Sequence, residues 1–324
     1  MNRVIDVFPY IVNFSLPLLS SMILIPVFLP FLKKLNFRQQ IRELGPSSHQ
    51  EKEGIPTLGG AIFFPVLLIC SLLLNTIGVS YAVMLFVVFM NWLTGVADDL
   101  LKIRYSSSEG ISGWLKLAVQ ALSGLIMGIF IYYSGLENLL YIPLADIWFE
   151  PGLKIIPFAM LVMMATTNSV NLSDGLDGLA GGLSIICLGF LIPFLLLEGA
   201  SAPLYLALQG GGLMLGYLWF NFHPAQIFMG DAGSLMTGAL IAVITLHSGM
   251  SLLLLLAGGV FVLEALSVIL QVLYFKFTDG SRIFNMTPLH HHFELAGWHE
   301  TKVTIRFFIL QIVFGITALL MVFA

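Results

Sequence analysis

Ten long apolar runs, near residues 9–32, 57–77, 81–97, 113–133, 153–167, 178–197, 202–220, 233–248, 251–275 and 303–323, constrain this chain more than anything else in it. An α-helix needs about 20 consecutive apolar residues to cross the hydrocarbon core of a bilayer. The runs are unbroken rather than alternating every second residue, which argues against a membrane β-barrel. Only 10% of the 324 residues are charged, where a soluble domain carries roughly 25%. The expectation is an all-α, polytopic integral membrane protein of about ten transmembrane helices, forming a single domain over 1–324. The fifth and eighth runs are the shortest and the least secure. Residues 1–32 read as a span rather than a signal peptide, because Arg3 and Asp6 make a weak n-region and no A-x-A-like cleavage site follows. Cys70 and Cys187 both fall within apolar runs and read as small buried hydrophobes.

Lysine and arginine set the orientation. With the N-terminus outside, Lys33, Lys34, Arg38, Arg42, Lys52, Lys102, Arg104, Lys116, Lys276, Arg282, Lys302 and Arg306 lie on or beside inner loops, and only Arg3 and Lys154 lie outside. That bias predicts both termini extracytoplasmic. It also places every polar constellation of the chain, at 33–56, 98–112, 168–177, 221–232 and 276–302, on the cytoplasmic face. The longest outer loop, 134–152, is bland.

The most unusual of these constellations is Asn168–Gly182, NSVNLSDGLDGLAGG. Asn168, Asn171, Asp174 and Asp177 recur at every third residue, and a polar ladder in apolar surroundings needs water or a partner. Gly175 and Gly178 allow tight turning or close approach. Together they suggest a membrane-surface site for a phosphorylated ligand. Asp98 and Asp99 end the third run. One reading is a solvated helix end with an Asp98–Lys102 pair at i,i+4; the other is a site, since adjacent carboxylates repel and a divalent cation relieves that. Asp231, flanked by Gly230 and Gly233, is either a helix N-cap or part of a phosphate site at a helix start. Asn221 and His223 just upstream could be ordinary interfacial polar residues, and Phe228 an interface aromatic. The run His290, His291, His292, with His299 beyond it, fits metal-ligand spacing on a helix poorly and suits phosphate better; the other reading is a loop turned by Pro288 with its histidines solvated. Glu264 lies mid-run, where an acid is a functional candidate, with Gln271 two turns further on; a buried inter-helix hydrogen bond explains both equally well.

Taken together, DDLLK at 98–102, NSVNLSDGLDGLA and FMGDAGSL resemble the polyprenyl-phosphate N-acetylhexosamine-1-phosphate transferases. PLHHHFELAGWHETKV at 288–303, with GIPTLGG at 54–60, is similar to the branch of that family that uses a MurNAc-pentapeptide donor. The resemblance covers nearly the whole chain. It implies transfer of phospho-MurNAc-pentapeptide from UDP-MurNAc-pentapeptide to undecaprenyl phosphate in the bacterial cytoplasmic membrane, with Mg²⁺ as cofactor, lipid I and UMP as products, a homodimer, and no nucleic-acid partner. By the same resemblance Asp231 holds Mg²⁺, Asp98 and Asp99 shape the catalytic centre, and Lys102 and Lys116 bind phosphates. Phe228 stacks on uracil with Gly175, Leu176 and Asp177 near the base. Lys52, Thr57, Asn171, Asp174, Asn221 and Gln271 line the nucleotide or metal surroundings, and His290, His291 and His292 meet the diphosphate or sugar. A sibling enzyme moving GlcNAc-1-phosphate is the near alternative. A secondary transporter with an ion path through Asp98, Asp174 and Glu264 is the distant one, disfavoured because the acids cluster on one face.

Overall fold

The computed structural model describes residues 7–34, 54–105, 110–134 and 140–323. Lys52, Arg38 and Arg42 lie outside these, as do the first four residues of the 106–112 linker. Every apolar run contains a helix. They are α1 (Phe8–Lys34), α2 (Phe63–Leu73), α3 (Val79–Tyr105), α4 (Gly113–Tyr133), α5 (Ile155–Leu172), α6 (Leu179–Leu197), α7 (Ser201–Asn221), α8 (Gly230–His247), α9 (Leu254–Ala257), α10 (Gly259–Phe277) and α12 (Glu300–Phe323). The short α11 (Leu289–Leu295) lies in the histidine segment.

Eight helices among the described residues are long and apolar enough to cross a membrane: α1, α3, α4, α5 with its preceding 3₁₀ turn, α6, α8, α10 and α12. The two short runs, at α5 and α8, are among them. Two of the ten expected spans fall outside that set. The 57–77 run yields a shorter apolar segment, Gly59–Leu73. In α7, Gln209 and a cluster of glycines dilute an otherwise apolar 21-residue helix. The run at 251–275 is not one helix either: it breaks at Gly258, between α9 and α10. The all-α expectation also missed a small hairpin in the 134–152 loop, β1 (Leu140–Ile142) against β2 (Ile147–Phe149), antiparallel with Leu140 opposite Phe149. Tyr141 N–H fastens it to Gly249 O at 2.9 Å, beyond the end of α8.

α8 is the hub. It packs on α3, α5 and α7, and 83% of its apolar window is buried, against 22% in α1, α10 and α12. Its sequence, rich in Gly, Ala, Ser and Thr, suits that position, because without a hydrophobic drive in lipid, helices associate through close backbone packing. The tightest approach positions the site. A Cβ at Gly95 of α3 would lie 2.1 Å from Asp231 O at the start of α8, so only glycine lets the two helices meet one turn before Asp98 and Asp99. Further from the site, Gln209 of α7 accepts from Ser71 and Tyr81 at 2.8 Å each and donates to Asn13 at 2.7 Å. Those contacts pin α1, α2, α3 and α7 together with buried polar groups satisfied, as an apolar interior requires. Cys70 and Cys187 are buried and unpaired.

Candidate active site

Four helix ends converge on one charged cluster. The last turns of α3 bring Asp98, Asp99 and Lys102; the first turn of α4 brings Lys116; the last turn of α5 brings Asn171; the first turn of α8 brings Asp231. Lys102 Nζ lies 2.7 Å from Asp98 Oδ2 and 3.3 Å from Asp231 Oδ1. Lys116 Nζ lies 2.8 Å from Asp98 Oδ1 and 2.5 Å from Asp231 Oδ2. Each lysine therefore bridges the same two carboxylates, and the i,i+4 pair foreseen for Asp98 is one side of a four-membered ring of charge. Asn171 Nδ2 donates to Asp231 Oδ1 at 3.3 Å and to Ser234 Oγ at 2.8 Å. Asp98 is fully buried and also accepts Ile111 N–H at 2.6 Å. The described end of the linker thus covers it.

Adjacent in sequence, Asp98 and Asp99 do different things. Asp99 turns away from the lysines and accepts Asp231 N–H and Ala232 N–H at 3.0 Å each. It caps α8 from a neighbouring helix. The start of α8 carries no side-chain cap of its own, so Asp231 is not the N-cap that its position suggested. A carboxylate facing the first-turn N–H groups is favoured by both hydrogen bonding and the helix dipole.

Asp98, Asp99 and Asp231 each offer a carboxylate oxygen within 4.8 Å of the others. Hard oxygen donors suit Mg²⁺, and two lysine ammoniums already lodge among them, so the cluster attracts positive charge. Asp99 spends both oxygens on backbone N–H groups, which leaves Asp231 and Asp98 as the carboxylates that could exchange a lysine ammonium for a metal ion, with Asp231 the less buried of the two.

The polar ladder of the 168–182 stretch divides among four places. Asn168 bonds Gln120 Oε1 at 2.7 Å. Asn171 reaches the charged cluster. Asp174 and Gly175 form the half-buried turn between α5 and α6, with Leu176 buried beneath. Asp177 joins a second group, unforeseen from sequence: its Oδ2 accepts Ala225 N–H at 2.9 Å and lies 3.2 Å from His223 Nδ1, while its own N–H donates to Glu300 Oε1 at 2.5 Å. These three side chains also lie within 4.8 Å of one another, but they are engaged with backbone and with each other, and the group acts as a clasp between the loop, the α7–α8 connection and α12. Asn221 has a similar tie, accepting Gly178 N–H at 3.0 Å and donating to Ile227 O at 2.8 Å. Thr57 comes beside Phe228 because Phe228 N–H donates to Pro56 O and Gly59 N–H to Phe228 O, both at 2.8 Å. Gln271 accepts Ile283 and Phe284 N–H at 3.0 Å and so does not pair with Glu264.

The three histidines share no ligand. His290 is fully buried against Glu264; His291 Nδ1 is 2.8 Å from Glu294 Oε2; His292 Nδ1 accepts Asn285 N–H at 3.2 Å. His223 reads from sequence as an ordinary interfacial residue and Glu300 carries no signal, since their partner Asp177 lies 46 and 123 positions away.

The chain matches the profile described as glycosyl transferase family 4 over residues 81–249, which holds the whole charged cluster. It is 38% identical over 319 residues to a phospho-N-acetylmuramoyl-pentapeptide-transferase of Oceanobacillus iheyensis, covering 96% of this chain and 97% of that one. It is 40% identical to the protein of the same description in Thermodesulfovibrio yellowstonii, over 98% and 94% of the two chains. A Geobacillus relative with that description is 38% identical over 93% of this chain and 94% of its own.

Proposed function

We propose, since the chain belongs to glycosyl transferase family 4 and within it to the phospho-N-acetylmuramoyl-pentapeptide transferases, that it moves phospho-MurNAc-pentapeptide from its UDP-linked donor to undecaprenyl phosphate, giving lipid I and UMP. The observation that carries this reading is the bridging of Asp98 and Asp231 by Lys102 and Lys116 at the ends of four membrane helices. One substrate is a soluble polyanion and the other a lipid phosphate, so their reaction needs positive charge at the membrane surface. In phosphoryl transfer, positioning and charge neutralisation supply most of the rate.

An oxygen of the lipid phosphate attacks the sugar-bearing phosphorus directly, the phosphoanhydride bond breaks, and UMP leaves with the bridging oxygen. Asp98 orients the attacking phosphate. Lys102 and Lys116 are the ammoniums that exchange carboxylate for phosphate oxygen, and they keep the incoming anions from meeting bare aspartates. Asp231, with Asp98, would hold Mg²⁺, which when bound neutralises the diphosphate as charge develops. Asp99 acts on the backbone, fixing the first turn of α8 and so the direction of Asp231. Phe228 offers a face for uracil beside Thr57, with Gly175, Leu176, Asp177 and Asn221 forming the adjoining wall and Lys52, Asp174 and Gln271 the surroundings. His290 and His291, together with His292, meet the donor's sugar and diphosphate.

The positive-inside bias supports ten spans with both termini outside, the cluster on the cytoplasmic face of a bacterial inner membrane, and assembly as a homodimer follows the family resemblance. A phosphatase reporter fused after Ala324 should be active; activity of a cytoplasm-only reporter at that point would invert the topology. For the chemistry, Asp231→Asn should abolish UMP release while the purified protein stays folded and monodisperse. Full Mg²⁺-dependent turnover by that variant would remove the metal role from Asp231.

A further inference from the structure

Glu264 of α10 and His290 of α11 form a buried pair; the family resemblance brings His290 to the donor's diphosphate or sugar, but nothing above gives Glu264 a role. Both are fully buried. Glu264 Oε1 accepts His290 N–H at 3.2 Å, and Oε2 lies 3.2 Å from His290 Nδ1, a close approach without an aligned hydrogen bond. One carboxylate thus holds the backbone of this histidine and stands beside its ring. A buried acid in a membrane helix is costly unless paired, and here its partner is the second residue of α11.

The other end of the ring points at the donor loop. His290 Nε2 is buried without a hydrogen-bond partner among the described residues, and it lies against Gly175. A Cβ built on Gly175 would sit 2.2 Å from Nε2. The φ of Gly175 is not among the positive values, so this glycine is required by the histidine and not by its own backbone. Leaving a buried polar atom without a partner is costly, and such an atom beside a binding loop calls for a partner that arrives with the ligand.

We infer that Glu264 is a positioning residue for His290: it fixes the ring so that Nε2 faces the Asp174–Asp177 loop, where an oxygen of the donor's diphosphate or sugar becomes its partner. This rests on the transferase reading above. Ring nitrogens gripped on one side by a carboxylate and presented on the other to a reacting group form a recurrent arrangement, in which the carboxylate sets tautomer and orientation. The contact strengthens as charge grows on the departing diphosphate, so its loss should appear in kcat rather than KM.

The test measures UMP release by the purified full-length protein with UDP-MurNAc-pentapeptide, undecaprenyl phosphate and Mg²⁺. Glu264→Gln should lower kcat roughly 10–100-fold, the usual cost of losing an orienting partner, with little change in donor KM. His290→Asn should lower it at least as far. The double variant should be no worse than His290→Asn alone, because Glu264 works only through the ring. Glu264→Asp, which keeps the charge, should recover part of the activity lost in Glu264→Gln and serves if the amide variant does not fold. Wild-type kcat in Glu264→Gln, a pure KM effect, or losses that multiply in the double variant would overturn the inference. Absence of UMP release from the wild type would instead refute the transferase reading itself.

Discussion

Neutralising Asp99 separates a structural carboxylate from a chemical one. In Asp99→Asn the remaining amide oxygen can accept only one of the two N–H groups that Asp99 now holds at 3.0 Å. The amide nitrogen turns a donor toward the other. Losing one charge-assisted hydrogen bond costs about 1.5–3 kcal/mol, and weakening the charge–dipole contact at α8 adds about 0.3–1 kcal/mol. Part of this is returned, because the substitution removes a negative charge buried beside Asp231, which leaves a net loss on the order of 1–2 kcal/mol. In a chain of this size that lowers Tm by about 1.5–3 °C. Thermal unfolding in detergent, followed by the loss of monodisperse protein, measures it, and UMP release on the same samples reports the indirect effect through a displaced Asp231. Asp99→Glu, which can still reach the helix end, should be closer to wild type in both. Unchanged stability of Asp99→Asn together with complete loss of turnover would refute the capping argument and return Asp99 to the reaction itself.

Two further substitutions probe the walls of the site. Gly95→Ala places a methyl group 2.1 Å from Asp231 O; the backbones of α3 and α8 must separate, with a stability loss of about 1–3 kcal/mol and a larger loss of activity than of donor binding. A Gly95→Ala protein with wild-type turnover would show that the approach of the two helices does not set the geometry of Asp98 and Asp231. Phe228→Ala should raise KM for the nucleotide donor, since stacking on a base is worth roughly 1–3 kcal/mol; an unchanged KM counts against the uracil contact.

The helices were legible from sequence because hydrophobicity in a bilayer is a local property, and every apolar run indeed holds one. Where the structure departs from that reading, the cause is a few residues. Gly258 and Gly259 interrupt an apolar run too uniform to show a break, and Gln209 with its neighbouring glycines lowers the apolar character of a helix that the packing buries. The residues of the charged cluster were legible one by one, but not their division of labour. Nothing in the pair Asp98–Asp99 says that one faces two lysines and the other a helix end, because that depends on a crossing that Gly95 permits. The histidine run reads as one motif, yet α11 directs His290 inward to Glu264, His291 to Glu294 and His292 to the backbone of Asn285. The clasp of Asp177, His223 and Glu300 joins three distant segments and left no trace in spacing. Lys52, named for the nucleotide, lies outside the described residues.

The most direct measurement gives the purified protein undecaprenyl phosphate and Mg²⁺ with either UDP-MurNAc-pentapeptide or UDP-GlcNAc, and follows UMP and the lipid product together. UMP and lipid-linked phospho-MurNAc-pentapeptide should form in equal amounts with the first donor, not with the second, and chelation of the metal should stop both. UMP released from UDP-GlcNAc alone, or from neither donor, would contradict the account.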